Sequence, residues 1–401
     1  MSAVKDKQLL YIANARLPTE KAHGVQIMKM CEAFAQSGAG VELVAPFRVQ
    51  TAQMRPVRDV WAYYGIRKRF NLTRLPSMDL LFLCPYLPAV LFYLPYYVQA
   101  VTFYVWAVLY SLAHRGEVLY SREWLFFLFW LPWRWLRKRT LVLEEHTFPH
   151  RGGWGARLHL AVSRRADKLV VITHRLKELY IAAGIPAEQV LVAPDGVDLA
   201  RFEPPADRAE AREQLGLPVE AKIICYTGHL FEWKGVYVLV DAALHLSDVL
   251  ILIVGGMVED QERLRAYITE QSIENVRLIG HVPPTEVSRF LYVADVLVLP
   301  NSGREPMSRE YTSPLKLFEY MASGTPIVAT DLPAAREIMR NGENAVLVAP
   351  DSAEALAQGI EQVLRAPEQS WQLAARARKD VTAFVWERRA ADISSFISNL
   401  R

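Results

Sequence analysis

The sequence is poor in cysteine: Cys31, Cys84 and Cys225 are its only three, odd in number, far apart and without a CxxC pair. That spacing excludes a disulfide framework and a zinc quartet, and a reducing cytosol suits it. Neither sign of charge dominates. Lys and Arg number 46 against 43 Asp and Glu, for a formal net charge of +3, so the balance alone favours no nucleic-acid partner and none is expected. The opening stretch MSAVKDKQLLYIANARLP lacks the apolar core and small-residue cleavage site of a secretion signal, and a cytoplasmic protein is expected. No GxGxxG follows the first apolar run, which leaves an NAD-dependent dehydrogenase unsupported. No convincing metal-ligand cluster stands out, and neither a metal nor a cofactor is expected.

What is present is globular in composition. The 401 residues are 52% apolar and 22% charged, too long for one ordinary core, and two domains are the first expectation. One segment departs from the rest: Leu80 to Ala113 carries no charged side chain. Pro85, Pro88 and Pro95 interrupt it, and proline inside a helix costs about 3 kcal/mol. A second apolar stretch, WLFFLFWLPWRW from Trp124, runs into the basic knot of Arg134, Arg137, Lys138 and Arg139. Aromatic rings beside Arg and Lys suit the headgroup layer of a bilayer. Three readings of residues 80–139 stay open: attachment to the inner face of a membrane, a buried or partner-facing helix pair, and a true span. The other basic knot, Arg67 to Arg69, reads equally as a solvated face.

Through most of the chain short apolar strands alternate with helical patterns, the signature of parallel-sheet units. LLYIANA reads as the first strand, followed by a helix over 25–37 with Val25, Ile27, Met28, Cys31 and Phe34 on one side. VELVAP, GEVLYSR, TLVLEEH and KLVVITH are further strands. Ligands of open α/β sheets lie beyond the carboxyl ends of strands, which singles out Arg122, His146 and His174. The Pro-, Asp- and Gly-rich stretch VLVAPDGVDLARFEPP then reads as a crossing segment. Alternation restarts with KIICYTG and continues through DVLILIVGG, VRLIGHV, ADVLVLP, TPIVATD and ENAVLVAP. The expected fold is α/β: two Rossmann-like domains, 1–195 and 196–380, facing each other across a cleft. An amphipathic helix in 381–401 is expected to fold back on the first.

Three segments of the second half carry chemistry. In YTGHLFEWKGVYVLVDAAL, Gly228, His229, Lys234 and Gly235 line a loop that opens a helix, where an ammonium beside a glycine turn can hold phosphate oxygens. In SREYTSPLKLFEYMASGTPIVATD a Ser-Pro turn opens another helix, whose free N–H groups favour an anion. Lys316 stands in that first turn, where helix electrostatics prefer an acid, and Glu319 follows one turn on. In LIGHVPPTEV the turn around His281 and Val282 can meet a flat base with backbone groups.

The order YTGHLFEWKG, LIVGG, LIGHV, ADVLVLP, SPLKLFEYMASGTPIVATD and NAVLVAP resembles the C-terminal domain of family-4 retaining glycosyltransferases of the GT-B fold. RLPTEKAHGVQIMKMCEAFAQSG, EEHTF and APDGVDLARFEP resemble that family's first loop and helix, its active-site histidine region and its domain linker. The resemblance implies sugar transfer from a nucleoside-diphosphate donor, UDP- or GDP-linked, to a glycan or lipid-linked acceptor, without a metal. Lys234 would neutralise the donor diphosphate, Ser313 and Leu315 would offer it backbone amides, and Glu319 would bind the ribose. Gly24, Gly228, His229, His281, Val282 and Lys316 would complete the donor site. His146 would sit at the sugar end, with Glu145 beside it as the nearest carboxylate, and Arg122 would contact acceptor or phosphate. The chain departs from the family twice: His229 stands where Arg is common, and Tyr311 where the first glutamate of a pair is common. These departures keep two alternatives in view, a catalytically silent membrane-associated protein of the same fold and a nucleotide-sugar epimerase of similar architecture.

Overall fold

Residues 8–114, 116–150, 152–203 and 207–399 are described by a computed structural model. Residues 1–7 of the opening stretch read for a targeting signal, and part of the Pro-rich crossing, lie outside them. The described residues form two units, one of Met1–Ala193 with Trp386–Arg401, the other of Pro194–Val385.

The first unit is built on β1 (Gln8–Ile12), β2 (Gly40–Pro46), β3 (Asn71–Leu75), β4 (Val118–Ser121), β5 (Thr140–Glu145), β6 (Lys168–Val171) and β7 (Val190–Val192). They pair in the order β3-β2-β1-β4-β5-β6-β7, and every pairing is parallel. The second unit repeats the plan with β8 (Lys222–Thr227), β9 (Val249–Val254), β10 (Val276–Gly280), β11 (Val296–Leu299), β12 (Ile327–Thr330) and β13 (Val346–Val348). Their parallel order is β10-β9-β8-β11-β12-β13. Numbered within each unit, both sheets follow the Rossmann order 3-2-1-4-5-6.

The sequence dictates this arrangement through the apolar runs. VLYS, VLVL and IVAT are buried at every position, as strands covered by helices on both faces must be. In the second unit one apolar cluster gathers Ile223, Cys225 and Leu297 with Phe318, while the opposite face gathers Ile224, Tyr226 and Val298 with Ile360. The three cysteines are free and buried. Two strands differ from the sequence reading. β3 was unforeseen because NLTRL sits at the sheet edge, mostly solvated, with no clean alternation. Val190–Val192, read as the start of the crossing, is the other edge strand of the first sheet. The helix expected from Val25 begins at Ala22 and ends at Gln36. The C-terminal helix Trp386–Ser398 buries Trp386, Arg389, Ala390, Ile393 and Ile397, and packs on the helix Ala22–Gln36.

The uncharged segment supplies the helix Leu94–Ala113, which connects β3 to β4. By length and apolarity it is able to cross a bilayer, yet one stripe (Gln99, Phe103, Ala107, Ser111) is buried. That stripe packs as a crossover helix must, with Tyr104 against Phe126 and Phe129. The outward side is apolar too: Tyr97, Val101, Val105 and Leu109 are exposed at four-residue intervals, beside Trp106, Tyr86 and Val90. The adjoining basic knot is largely spent on structure. Arg139 is buried and donates to the Ser111 and His114 carbonyls, Arg137 Nε donates to Leu112 O at 3.1 Å, and Arg134 pairs with Asp167. Guanidiniums thus close the carbonyl end of this helix, which has no other basic residue in its last turn.

Gly235 ends the Lys234 turn at φ +71° and starts the next helix. A Cβ there would lie 1.7 Å from the Pro300 carbonyl oxygen, a backbone group that cannot step aside. Gly235→Ala is therefore expected to destabilise the second unit by about 3 kcal/mol or more. Calorimetry should find its midpoint lowered by roughly 6–12 °C; an unchanged midpoint would contradict this packing.

Candidate functional site

In the second unit the carboxyl ends of β8 and β9 are stripped of side chains. Gly228 follows β8 at φ +129° and Gly255 follows β9 at φ +116°; a Cβ on Gly255 would come within 2.4 Å of the Gly228 carbonyl oxygen. Only glycines let these two turns touch. Tyr320 pins the end of β8 from below, its hydroxyl accepting the Thr227 N–H at 2.8 Å. Trp233 O accepts the Ser302 N–H at 3.0 Å, which fixes the loop carrying Lys234.

Two ammonium groups stand over this bare edge. Lys316 is buried in the first turn of the helix Leu315–Ser323, its Nζ 3.7 Å from the centre of the Tyr226 ring and without any hydrogen-bond partner among the described residues. Gly228 makes room beside it, since a Cβ there would lie 3.8 Å from Nζ. Lys234 is half-buried, with Nζ 3.8 Å from the centre of the Trp233 ring. Burial lowers the Lys234 ammonium to about 7. Burial, and then the neighbouring Lys234 charge, hold Lys316 well below the ordinary range, against a pull from Glu319. The helix start has no side-chain cap and no acid in its first turn. Two positive groups in each other's field, beside unfilled N–H groups, form an anion-shaped vacancy.

Glu319 is half-buried, and Lys316 does not ion-pair with it. Burial raises its carboxyl, while Arg201 and Lys316 draw it down. Arg201, which the sequence reading did not select, donates to the Pro284 carbonyl from a single helical turn, Leu199–Arg201. His229 stacks on Phe231 at 5.1 Å between ring centres. Ser313 is buried, and its hydroxyl accepts the Asp195 N–H at 3.3 Å. His281 and Val282 follow β10, with Val282 against the core cluster. Tyr311 is buried at the end of a π-helical turn, Met307–Tyr311, and the adjacent Glu310 is bonded to Arg309 at 2.8 Å.

In the first unit the expected carboxylate changes. Side chains alternate along β5, so Glu144 and Glu145 point to opposite faces. Glu145 is the buried partner of His159 (2.6 Å) and Ser163 (3.3 Å), below a Trp124 ring stacked on His159. It is Glu144 that contacts His146: its Oε1 meets His146 Nε2 at 2.6 Å, Gln26 Nε2 at 2.7 Å and Arg389 at 2.9 Å, and Tyr120 donates to its Oε2. Burial acts to raise the Glu144 carboxyl, but Arg389, His146 and Arg122 outweigh it and hold it well below the carboxylate range. An ionised Glu144 takes the proton on His146 Nε2 as a donor and leaves Nδ1 for other chemistry. Arg122 donates to Gln26 Oε1 at 2.7 Å, so it buttresses this network. His174 is exposed at the start of the helix His174–Ala182. Gly24 lies in the first turn of its helix, where a Cβ would stand 2.4 Å from Tyr64 Oη; packing on Tyr64 accounts for that glycine without a ligand.

Two Rossmann-like units, one with an unfilled anion seat at its strand ends, define the GT-B class of glycosyltransferase. The chain belongs to glycosyltransferase family 4: that family's profile matches residues 23–201, and the profile of glycosyl transferases group 1 matches residues 207–380. Among curated relatives, the D-inositol 3-phosphate glycosyltransferase of Xylanimonas cellulosilytica is 31% identical over 238 residues, 56% of this chain and 55% of that protein. The enzyme of the same name from Corynebacterium urealyticum is 28% identical over 225 residues, 53% of this chain and 51% of that protein. The chain thus spans about half the length of the curated relatives it matches. Among solved structures, Anabaena Alr3699/HepE in complex with UDP-glucose superposes with a TM-score of 0.75 at 17% identity, over 98% of this chain and 100% of that one. Sucrose-phosphate synthase of Thermosynechococcus elongatus does so at 0.73 and 20%, over 97% and 98%.

The Glu144 network makes an acid-sensitivity prediction. A carboxylate whose folded pKa is depressed stabilises the fold above its unfolded pKa, near 4.3 for glutamate, and loses that contribution as pH falls through the folded value. Glu144→Gln leaves Arg389 buried without its counter-charge and is expected to cost about 3 kcal/mol at pH 7. Circular-dichroism melts should show the gap to wild type narrowing below about pH 4. A gap constant with pH would mean that Glu144 is not the ionised member.

Proposed function

We propose that the protein moves a sugar from a nucleoside-diphosphate sugar, UDP- or GDP-linked, to an acceptor hydroxyl with retention of configuration, in the synthesis of a cell-surface glycan or glycolipid. The observation that carries this is the buried ammonium of Lys316, unpartnered at the uncapped start of the helix Leu315–Ser323 and in the field of Lys234. When the glycosidic bond to a diphosphate breaks, negative charge grows on the leaving oxygens, and fixed positive groups there lower the barrier. Lys234, Lys316 and the Leu315 amide supply that field without a metal. Glu319, raised by burial yet left with acceptor capacity, takes the ribose hydroxyls. In the first unit His146, oriented by Glu144, acts on the sugar side of the reaction. The UDP-glucose bound in the Anabaena structure supports the donor class.

The test is a thermal-shift panel of UDP-, GDP- and ADP-sugars, in which a ligand at a hundred times its dissociation constant adds about 2.7 kcal/mol. Lys234→Ala should abolish transfer and remove most of the shift; nucleotide affinity equal to wild type would count decisively against this site. Because the free Lys234 ammonium titrates near 7 and a diphosphate favours its charged form, affinity should fall as pH rises above about 7, by up to tenfold per unit. The alanine variant should lack that slope.

Attachment to the inner face of a membrane is part of the same reading, supported by the exposed aromatic side of the helix Leu94–Ala113 with Trp133 and Trp135 nearby. Amphipathic rings of this kind settle at the headgroup boundary. Replacing Trp133 and Trp135 with Ser should lower binding to anionic vesicles several-fold, and equal sedimentation of variant and parent would end the idea.

A further inference from the structure

One hollow of the first unit has no part in the chemistry above. It is a cavity of about 850 Å³ at the carboxyl ends of β1, β2 and β3, and five arginines line it: Arg16, Arg48, Arg58, Arg69 and Arg74. Three of them have carboxylate partners. Arg16 bonds Glu20 at 2.6 Å, Arg48 reaches Asp79 at 3.4 Å, and Arg69 lies 3.7 Å from Asp59. Arg74 donates to the Leu17 carbonyl at 3.2 Å, and Arg58 makes no hydrogen bond or ion pair among the described residues. Arg58 and Arg74 thus present exposed charges without a carboxylate partner, and Asp59, the one acid on the wall, is also engaged by the Trp61 and Ala62 N–H groups. The Arg16 Nε–H is buried and has no acceptor, and Gln50 Oε1 on the same wall is buried without a donor. A buried donor left unsatisfied inside a cationic cavity calls for an acceptor that is not part of the protein.

We infer that this cavity holds a phosphate or diphosphate group carried by the acceptor. The inference rests on the sugar-transfer reading only in naming the acceptor as the bearer. Planar guanidiniums match phosphate oxygens in paired hydrogen bonds, and arginine stays charged at any working pH. The cavity is far larger than one anion, and Trp61 and Phe47 on its wall offer flat apolar faces to the attached group. The placement adds a constraint of length. In the order β3-β2-β1-β4-β5, three strand spacings separate β2 from the β5 edge that bears His146, roughly 14 Å. The anion is thus read well away from the reacting hydroxyl, and an acceptor with its phosphate on the reacting sugar itself is too short to engage both. Binding energy gathered at such a distance holds the hydroxyl in place at the reaction end.

The test titrates inorganic pyrophosphate calorimetrically into the full chain, into R58Q/R74Q, and into Lys234→Ala, which removes the competing diphosphate seat of the second unit. The expected result is binding that survives in Lys234→Ala and weakens at least tenfold in R58Q/R74Q. Circular-dichroism melting equal to wild type verifies that R58Q/R74Q is folded. No pyrophosphate binding, or binding that Lys234→Ala abolishes and R58Q/R74Q leaves intact, overturns the proposal. Separate titration with UDP keeps the two readings apart: a chain that takes pyrophosphate in this cavity but no UDP sinks the donor site and leaves this one standing. Vesicles containing phosphatidic acid identify the bearer. Release from them by pyrophosphate, lost in R58Q/R74Q, places the phosphate on a lipid; pyrophosphate binding without vesicle binding places it on a soluble acceptor.

Discussion

The second unit holds two lysines where neither has a carboxylate in contact and where burial disfavours the charge of both, and much of its local architecture serves that arrangement. Lys316 Nζ rests on the Tyr226 ring instead of on an acid, and a ring quadrupole compensates only part of the cost of desolvating an ammonium. Gly228 and Gly255 keep side chains out of the space in front of it. Tyr320 ties β8 to the helix that carries Lys316 through the Thr227 N–H. Such a device is a standing instability in the empty protein, because buried unpaired charge opposes folding. It persists because the groups that force it, a glycine edge and an uncapped helix start, are fixed by the sheet. Strain of this kind at strand ends is what a tight anion site looks like before its ligand arrives.

The two departures from the family pattern read differently in this light. His229 gives up a permanent guanidinium charge, yet its ring is braced against Phe231 and two lysines remain. Beside Tyr311, Glu310 bonds to Arg309.

Much of this was legible in the sequence, for specific reasons. The strands β8, β9, β11 and β12 of the second unit were visible because central parallel strands are apolar nearly throughout. Lys316 stood out because a lysine in a helical first turn breaks a local rule. The edge strands β3 and β7 were missed where half-exposure erased the pattern. Glu145 was named as the carboxylate nearest His146 in sequence, whereas strand alternation places residues 144 and 146 on one face. Arg389 and Arg201 carry no local signal at all. Each acts through a fold contact, Arg389 with a residue 245 positions away, and no window of sequence contains both partners.

The two units use the same end of the same sheet in opposite ways. In the first, Glu144 collects donors from Gln26, Tyr120, His146 and Arg389. Those bonds fix a ring orientation at one imidazole. In the second, the charged groups are withheld from partners and the helix start is left uncapped. An incomplete network of that kind gains most when an anion supplies the missing acceptors.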